Sequence, residues 1–262
     1  QDYPIIYKHL LQFYDKNSPK AVKNPDGSYQ TLKDRADQGD HWSNLRNCAF
    51  IDEFEKEKII WIEISDRANY CLDSEGKYLT NSAYFITGEN LKYLLAVLNS
   101  RLMDFYFYQK TAQIAGGRKR YTKQYVELLP IPQISDETIL KKFEVIVTYM
   151  IYLNDINKPP VNPYTDNASI APVFEDVLNM MVYELYFDEH MKQEEIDVLR
   201  YINIEKTFPE ILPFSQESKT QAEIIGRAYK TLQEQENPIR NRMILSNIRS
   251  KEIIRRINST TH

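Results

Sequence analysis

Lys58-Ile59-Ile60-Trp61-Ile62-Glu63-Ile64 is the stretch that decides how the first half of this chain is read. β-Branched and aromatic residues follow one another with a single acidic interruption, the composition of a mostly buried strand. Tyr84-Phe85-Ile86-Thr87 predicts a second, shorter strand, and Asp73-Ser74-Glu75-Gly76 supplies a turn between the two. Upstream, Tyr3, Ile6, Tyr7, Leu10, Leu11 and Tyr14 recur at helical spacing, and residues 15–41 are polar and turn-rich, as in a surface excursion. Trp42, in that polar surrounding, is expected to anchor the excursion. Downstream, Leu91, Leu94, Leu95, Leu98, Leu102 and Phe105 share one face, which predicts a helix from Glu89 to about Gln109.

Glycine and proline set the larger division. Six of the seven glycines precede residue 118 and only Gly226 follows, so turns concentrate in the first half and the second half suits helices. Leu129-Pro130-Ile131-Pro132 blocks helix continuation twice and marks the boundary. The expected fold class is α+β: a mixed α/β domain over 1–133, followed by an all-helical subdomain over 134–262. Asp136 is positioned to cap a helix running to about Leu153, with Ile139, Phe143, Ile146, Val147 and Met150 as its apolar stripe. Lys158-Pro159-Pro160 begins an extended linker. Another helix starts near Ser169 and Pro172, shorter ones follow near 191–203 and 215–235, and Asn237-Pro238 breaks the chain before basic helical segments.

At 262 residues with 27% charged positions, the composition excludes a wholly disordered or fibrous chain. No run of 18 apolar residues exists that could span a bilayer. Two cysteines, Cys48 and Cys71, are too few for a disulfide framework or a Cys-based zinc site, so a reducing cytoplasm is the expected compartment. The chain begins at Gln1 inside a helical pattern, and we expect a fragment of something longer. The net charge of −4 argues weakly against nucleic acid, but it is assembled from unlike parts. Residues 1–133 are nearly neutral at +1, residues 134–226 stand at −10, and residues 227–262 at +5.

Catalytic constellations are missing. The sequence has no glycine-rich phosphate loop and no Gly-x-Ser-x-Gly elbow, and its four histidines are scattered without metal-ligand pairing. Asn162-Pro163-Tyr164 lacks the second proline of an amino-methyltransferase loop and no AdoMet-binding glycine segment precedes it, so it reads as linker. The positive feature is Gly116-Gly117-Arg118-Lys119-Arg120-Tyr121-Thr122-Lys123. Two glycines permit close backbone approach, and clustered Arg and Lys neutralise phosphates or, for Arg, grip a guanine edge. A solvated basic loop is the equally weighted alternative. The basic C-terminal stretch, with Arg240, Arg242, Arg249, Lys251, Arg255 and Arg256, is expected to pack on the acidic middle segment.

Motif order then points to a family. Leu32-x-x-Arg35, Gly39-x-His41-Trp42-x-x-Leu45-Arg46, Phe54-Glu55-Lys56-Glu57-Lys58-Ile59-Ile60-Trp61, Leu91-Lys92-Tyr93-Leu94-Leu95-Ala96-Val97-Leu98-Asn99-Ser100 and Leu128-Leu129-Pro130-Ile131-Pro132 follow one another. This series, over roughly 1–133, resembles the TaqI-like specificity (target-recognition) domain that follows the adenine-specific methyltransferase in type II and IIG restriction–modification enzymes. Glu57 departs from it, standing where the family usually has proline. Phe174 to Phe187 is similar, more loosely, to the helical tail of these enzymes.

The resemblance implies sequence-specific recognition of double-stranded DNA by a segment that is itself non-catalytic. Arg118, Lys119, Arg120 and Lys123, with Gly116, Gly117 and Tyr121, become the expected DNA contacts, and Arg35 and Arg46 weaker ones. It also implies a partner, the N-terminal methyltransferase domain of the same parent chain. AdoMet would be the cofactor of that parent, with Mg2+ if the parent also cleaves DNA; none is expected in this segment. The alternative function is a non-catalytic protein-interaction module that docks a basic partner on its acidic helical half.

Overall fold

In the computed structural model, strand β3 (Lys58–Ile62) is central, as its composition predicts. The structure describes residues 3–44, 48–111, 114, 117–212 and 217–260. By packing, the chain separates into two units, 1–53 and 54–262. The proline boundary near residue 133 lies inside the second of these.

In the first unit, helix α1 (Pro4–Leu10) leads through a short 3-10 turn into the excursion. Strands β1 (Val22–Lys23) and β2 (Tyr29–Gln30) pair antiparallel around a turn in which Gly27 takes φ +87°. Trp42 anchors this segment as expected: its ring lies 5.4 Å from Tyr7 and 4.8 Å from Tyr14.

The second unit begins with β3. Beyond the bend at Glu63 the chain continues as β4 (Ile64–Ser65). Strands β5 (Cys71–Asp73) and β6 (Ala83–Thr87) flank β3, giving the antiparallel order β5-β3-β6. Ile59 and Trp61 turn into the core. Lys58 is buried as well, against the ordinary preference of a lysine. Its ammonium lies 2.5 Å from Asp73, directly across the ladder, and donates to the Phe54 carbonyl at 2.5 Å. Asp73 also accepts from the backbone N–H groups of Glu75 and Lys77, so one buried ion pair fixes both the sheet edge and the turn after it. Burial opposes the Asp73 charge, but Lys58 and these donors outweigh it and hold the carboxyl below its ordinary value.

The helix predicted from Glu89 to Gln109 is two helices, α2 (Leu91–Leu98) and α3 (Arg101–Lys110). The break is made by tertiary bonds. Asn99 exchanges two hydrogen bonds with the Tyr70 backbone, and Ser100, in extended conformation, caps α3 through the Met103 N–H. From the far side, Asn179 accepts from the Arg101 N–H.

Strand β7 (Lys119–Arg120) pairs with β4, and a short helix α4 (Lys123–Val126) follows. The two prolines after it are pinned from both halves: Tyr93 donates to the Pro132 carbonyl at 2.8 Å and Tyr186 to that of Pro130 at 2.6 Å. Helix α5 (Glu137–Asn154) is capped by Asp136, as its sequence predicts. The long helix α6 (Asn167–Gln193) begins earlier than expected, capped by Asp166, and is kinked at Phe187. Helices α7 (Ser218–Gln233) and α8 (Pro238–Arg249) follow, then a π-helical turn and α9 (Arg256–Thr260). One apolar core runs from Ile59 through α2, α5 and α6 to Ile257. Among the described residues, no helix is long and apolar enough to cross a membrane.

The basic C-terminal stretch meets the acidic segment only in part. Arg249 pairs with Glu195 at 3.1 Å, and Arg242 stacks over Tyr201. Helix α9, however, packs on α3.

Candidate nucleic-acid interface

The basic run is split by the geometry of a strand. In an extended segment successive side chains point to opposite faces. Ile64 pairs with Arg120 and Ser65 with Lys119, so the residues alternate in and out of a two-stranded β4–β7 ribbon. The ribbon is tied to the main sheet at its base, where Tyr121 N–H donates to the Glu63 carbonyl and the Trp61 indole N–H donates to the Tyr121 carbonyl, both at 2.7 Å.

Lys119 and Tyr121, two of the expected DNA contacts, face inward. Lys119 is only 2% exposed. Its ammonium stands 3.9 Å from Asp104 and 4.1 Å over the Tyr108 ring. Burial pushes that ammonium below its ordinary value, against the opposing pull of Asp104. Tyr121 stacks on Phe107 at 4.3 Å and donates its hydroxyl to Asp104 at 3.1 Å. Burial, then the Asp104 charge, raises its pKa. Asp104 also accepts from the Ala68 N–H just beyond β4, so one carboxylate on α3 holds both arms of the ribbon.

Arg118, Arg120 and Lys123 face solvent. Arg118 has no ion-pair partner among the described residues. Arg120 is half exposed and lies 3.5 Å from Glu63. Lys123, 72% exposed, is 3.4 Å from Glu127 one helical turn on. Exposed pairs of this kind are worth only about 0–1 kcal/mol, so either cation is readily redirected to a phosphate. Gly117, with φ +75° and open space where a side chain would stand, lets the loop turn into the ribbon. Gly116 lies outside the described residues.

The weaker candidates are not in this group. Arg35 belongs to the first unit, where its guanidinium donates to the Asn44 carbonyl and lies 3.7 Å from Asp37, tying down the excursion. Arg46 lies outside the described residues.

Reading the sequence missed two things here. Ile64 is exposed on the outward face, directly opposite Arg120. Arg67, also exposed, follows β4 at the rim of a cleft of about 830 Å³. The cleft has an apolar floor that includes Leu95 and Val147, and its rim carries Asn99, Arg101 and Asn258. Strand alternation applied to 118–121 would have separated the inward from the outward cations; the register with Ile64 depends on a long-range pairing that the local pattern does not carry. Among the described residues, no group of His, Cys, Asp or Glu is arranged to hold a metal ion.

No curated protein matches the chain. The chain does match the TaqI-like C-terminal specificity domain family over residues 6–131, just under half its length, and this is the family to which its motif order points.

Proposed function

We propose that this chain is a sequence-specific duplex-DNA recognition module of a type II restriction–modification enzyme. It would position DNA for an adenine-N6 methyltransferase domain of the same parent chain. The family match supports DNA target recognition in a restriction–modification enzyme. The observation that carries the reading to this chain's own residues is the β4–β7 ribbon: its outward face bears Arg120, exposed Arg118 and Lys123 flank it in the chain, and its inward face is locked to α3 by Asp104. An anchored element presenting exposed cations suits a polyanionic partner. In this reading AdoMet, and Mg2+ if the parent cleaves DNA, belong to the parent's other domains. The chain itself holds and orients the duplex.

Salt-titrated binding to duplex DNA tests this. Affinity should fall by orders of magnitude between about 50 and 200 mM salt if 6–10 phosphates are neutralised, and proportionally less for fewer. Replacing Arg118, Arg120 and Lys123 together with glutamine should weaken binding and flatten the salt slope. Absence of duplex binding at low salt would overturn the proposal.

A further inference from the structure

The outward face of the ribbon is not purely cationic. Ile64 lies on it, 37% exposed. Its Cα partner across the ladder is Arg120, so both side chains leave the ribbon on the same side. Arg118, immediately before β7, is exposed to solvent two residues from Arg120. An isolated exposed isoleucine needs no explanation. This one faces Arg120 across an element whose other face is fastened down by Lys119, Tyr121 and Asp104. Phosphate contact alone gives an isoleucine nothing to touch. Base edges do: thymine offers a methyl group to an apolar side chain, and guanine offers two acceptors to an arginine fork.

Resting on the reading of the chain as a DNA-recognition module, we infer that Ile64 is a specificity-determining residue. With Arg118 and Arg120 it forms a base-reading face that selects a thymine beside a guanine, while Lys123 on the flank contacts phosphate. The charges suit a nucleic acid rather than an apolar partner, because the isoleucine's cross-strand neighbour is Arg120 and exposed Arg118 and Lys123 lie close in the chain. Among the described residues, Arg120's one ion pair is with Glu63, which a guanine edge can displace.

The test is selection from a randomised duplex pool at about 50 mM salt, a concentration at which phosphate contacts are strong. The chain is used unmodified and as Ile64→Ala, Ile64→Val and Arg118→Gln. One pool contains thymidine and a second replaces it with deoxyuridine, which removes the methyl group alone. The unmodified chain should enrich a motif with a thymine position and bind the deoxyuridine version about fourfold more weakly, the value of one buried methyl. Ile64→Ala should lose that discrimination and relax the thymine position, whereas Ile64→Val, which keeps a branched methyl, should retain most of it. Arg118→Gln should relax a guanine position by roughly tenfold or more. Ile64 is partly in solvent, so these variants are expected to fold, and far-ultraviolet circular dichroism checks that they do.

An enriched motif that is indifferent both to the methyl group and to Ile64→Ala would overturn the inference and leave the DNA-recognition reading standing. Failure to enrich any duplex at low salt would overturn both.

Discussion

Lys119 stands 3.9 Å from Asp104, beneath the ribbon whose two neighbouring arginines face solvent. The contrast separates two kinds of cation within three consecutive residues. Lys119→Ala removes the partner of a mostly buried carboxylate. Breaking such pairs costs about 3–5 kcal/mol, and Asp104 keeps its bonds from Ala68 and Tyr121, so a loss of about 2–3 kcal/mol is expected in urea unfolding. Arg118→Ala should change stability by less than about 0.5 kcal/mol while weakening DNA binding by about 1–3 kcal/mol. Equal unfolding midpoints for the two variants would contradict the assigned facing.

The Lys58–Asp73 pair invites a double-mutant cycle. Each single replacement, Lys58→Met or Asp73→Leu, strands one buried charge and should cost about 3–5 kcal/mol; the double replacement should cost much less than their sum. The Asp73 carboxyl is held below its ordinary value, so its contribution is present above the unfolded carboxyl range and lost as pH falls through its folded value. An acid-unfolding curve for Asp73→Leu should therefore be flatter than that of the unmodified chain.

Gly226 lies inside helix α7, where alanine is ordinarily better by about 1 kcal/mol. Here a methyl group would come within 2.4 Å of the Val161 carbonyl oxygen, which is backbone and has little freedom to yield. Gly226→Ala should destabilise by about 1–3 kcal/mol, the cost of overpacking. A rise in melting temperature would show that the Val161 segment moves freely.

Alkaline pH probes the buried tyrosines. Burial raises the Tyr93 and Tyr152 hydroxyls from 10.0 to about 12, and the Asp155 charge adds to the effect at Tyr152. Both donate to backbone carbonyls. A group whose folded pKa is raised gives stability that is whole below pH 10 and declines as pH climbs towards 12. Unfolding free energy should fall across that window. Tyrosinate absorbance should show a delayed class of hydroxyls in the folded chain that vanishes in denaturant.

What was legible in the sequence was what local chemistry determines. The central strand shows in the run from Lys58 and the α5 cap in Asp136. What was hidden depends on distant partners. Leu91 to Phe105 keeps one periodicity across a break imposed by Tyr70 and Asn179. Arg118-Lys119-Arg120 reads as uniform charge until strand pairing turns its middle residue inward. Cys71–Asp73 is too short to announce a strand, and an ion pair with Lys58 completes it.

Helix α9 packs on α3, Ile254 and Ile257 are buried, and Tyr183 donates to Asn258 at 2.7 Å. The ribbon that α3 anchors is therefore braced by residues more than a hundred positions further along the chain. The ribbon is not a portable cassette: transplanting residues up to the proline pair into another scaffold would leave α3 without its brace. If the ribbon reads DNA as proposed, exchanging its few outward-facing side chains with the second unit kept whole should change the target preference.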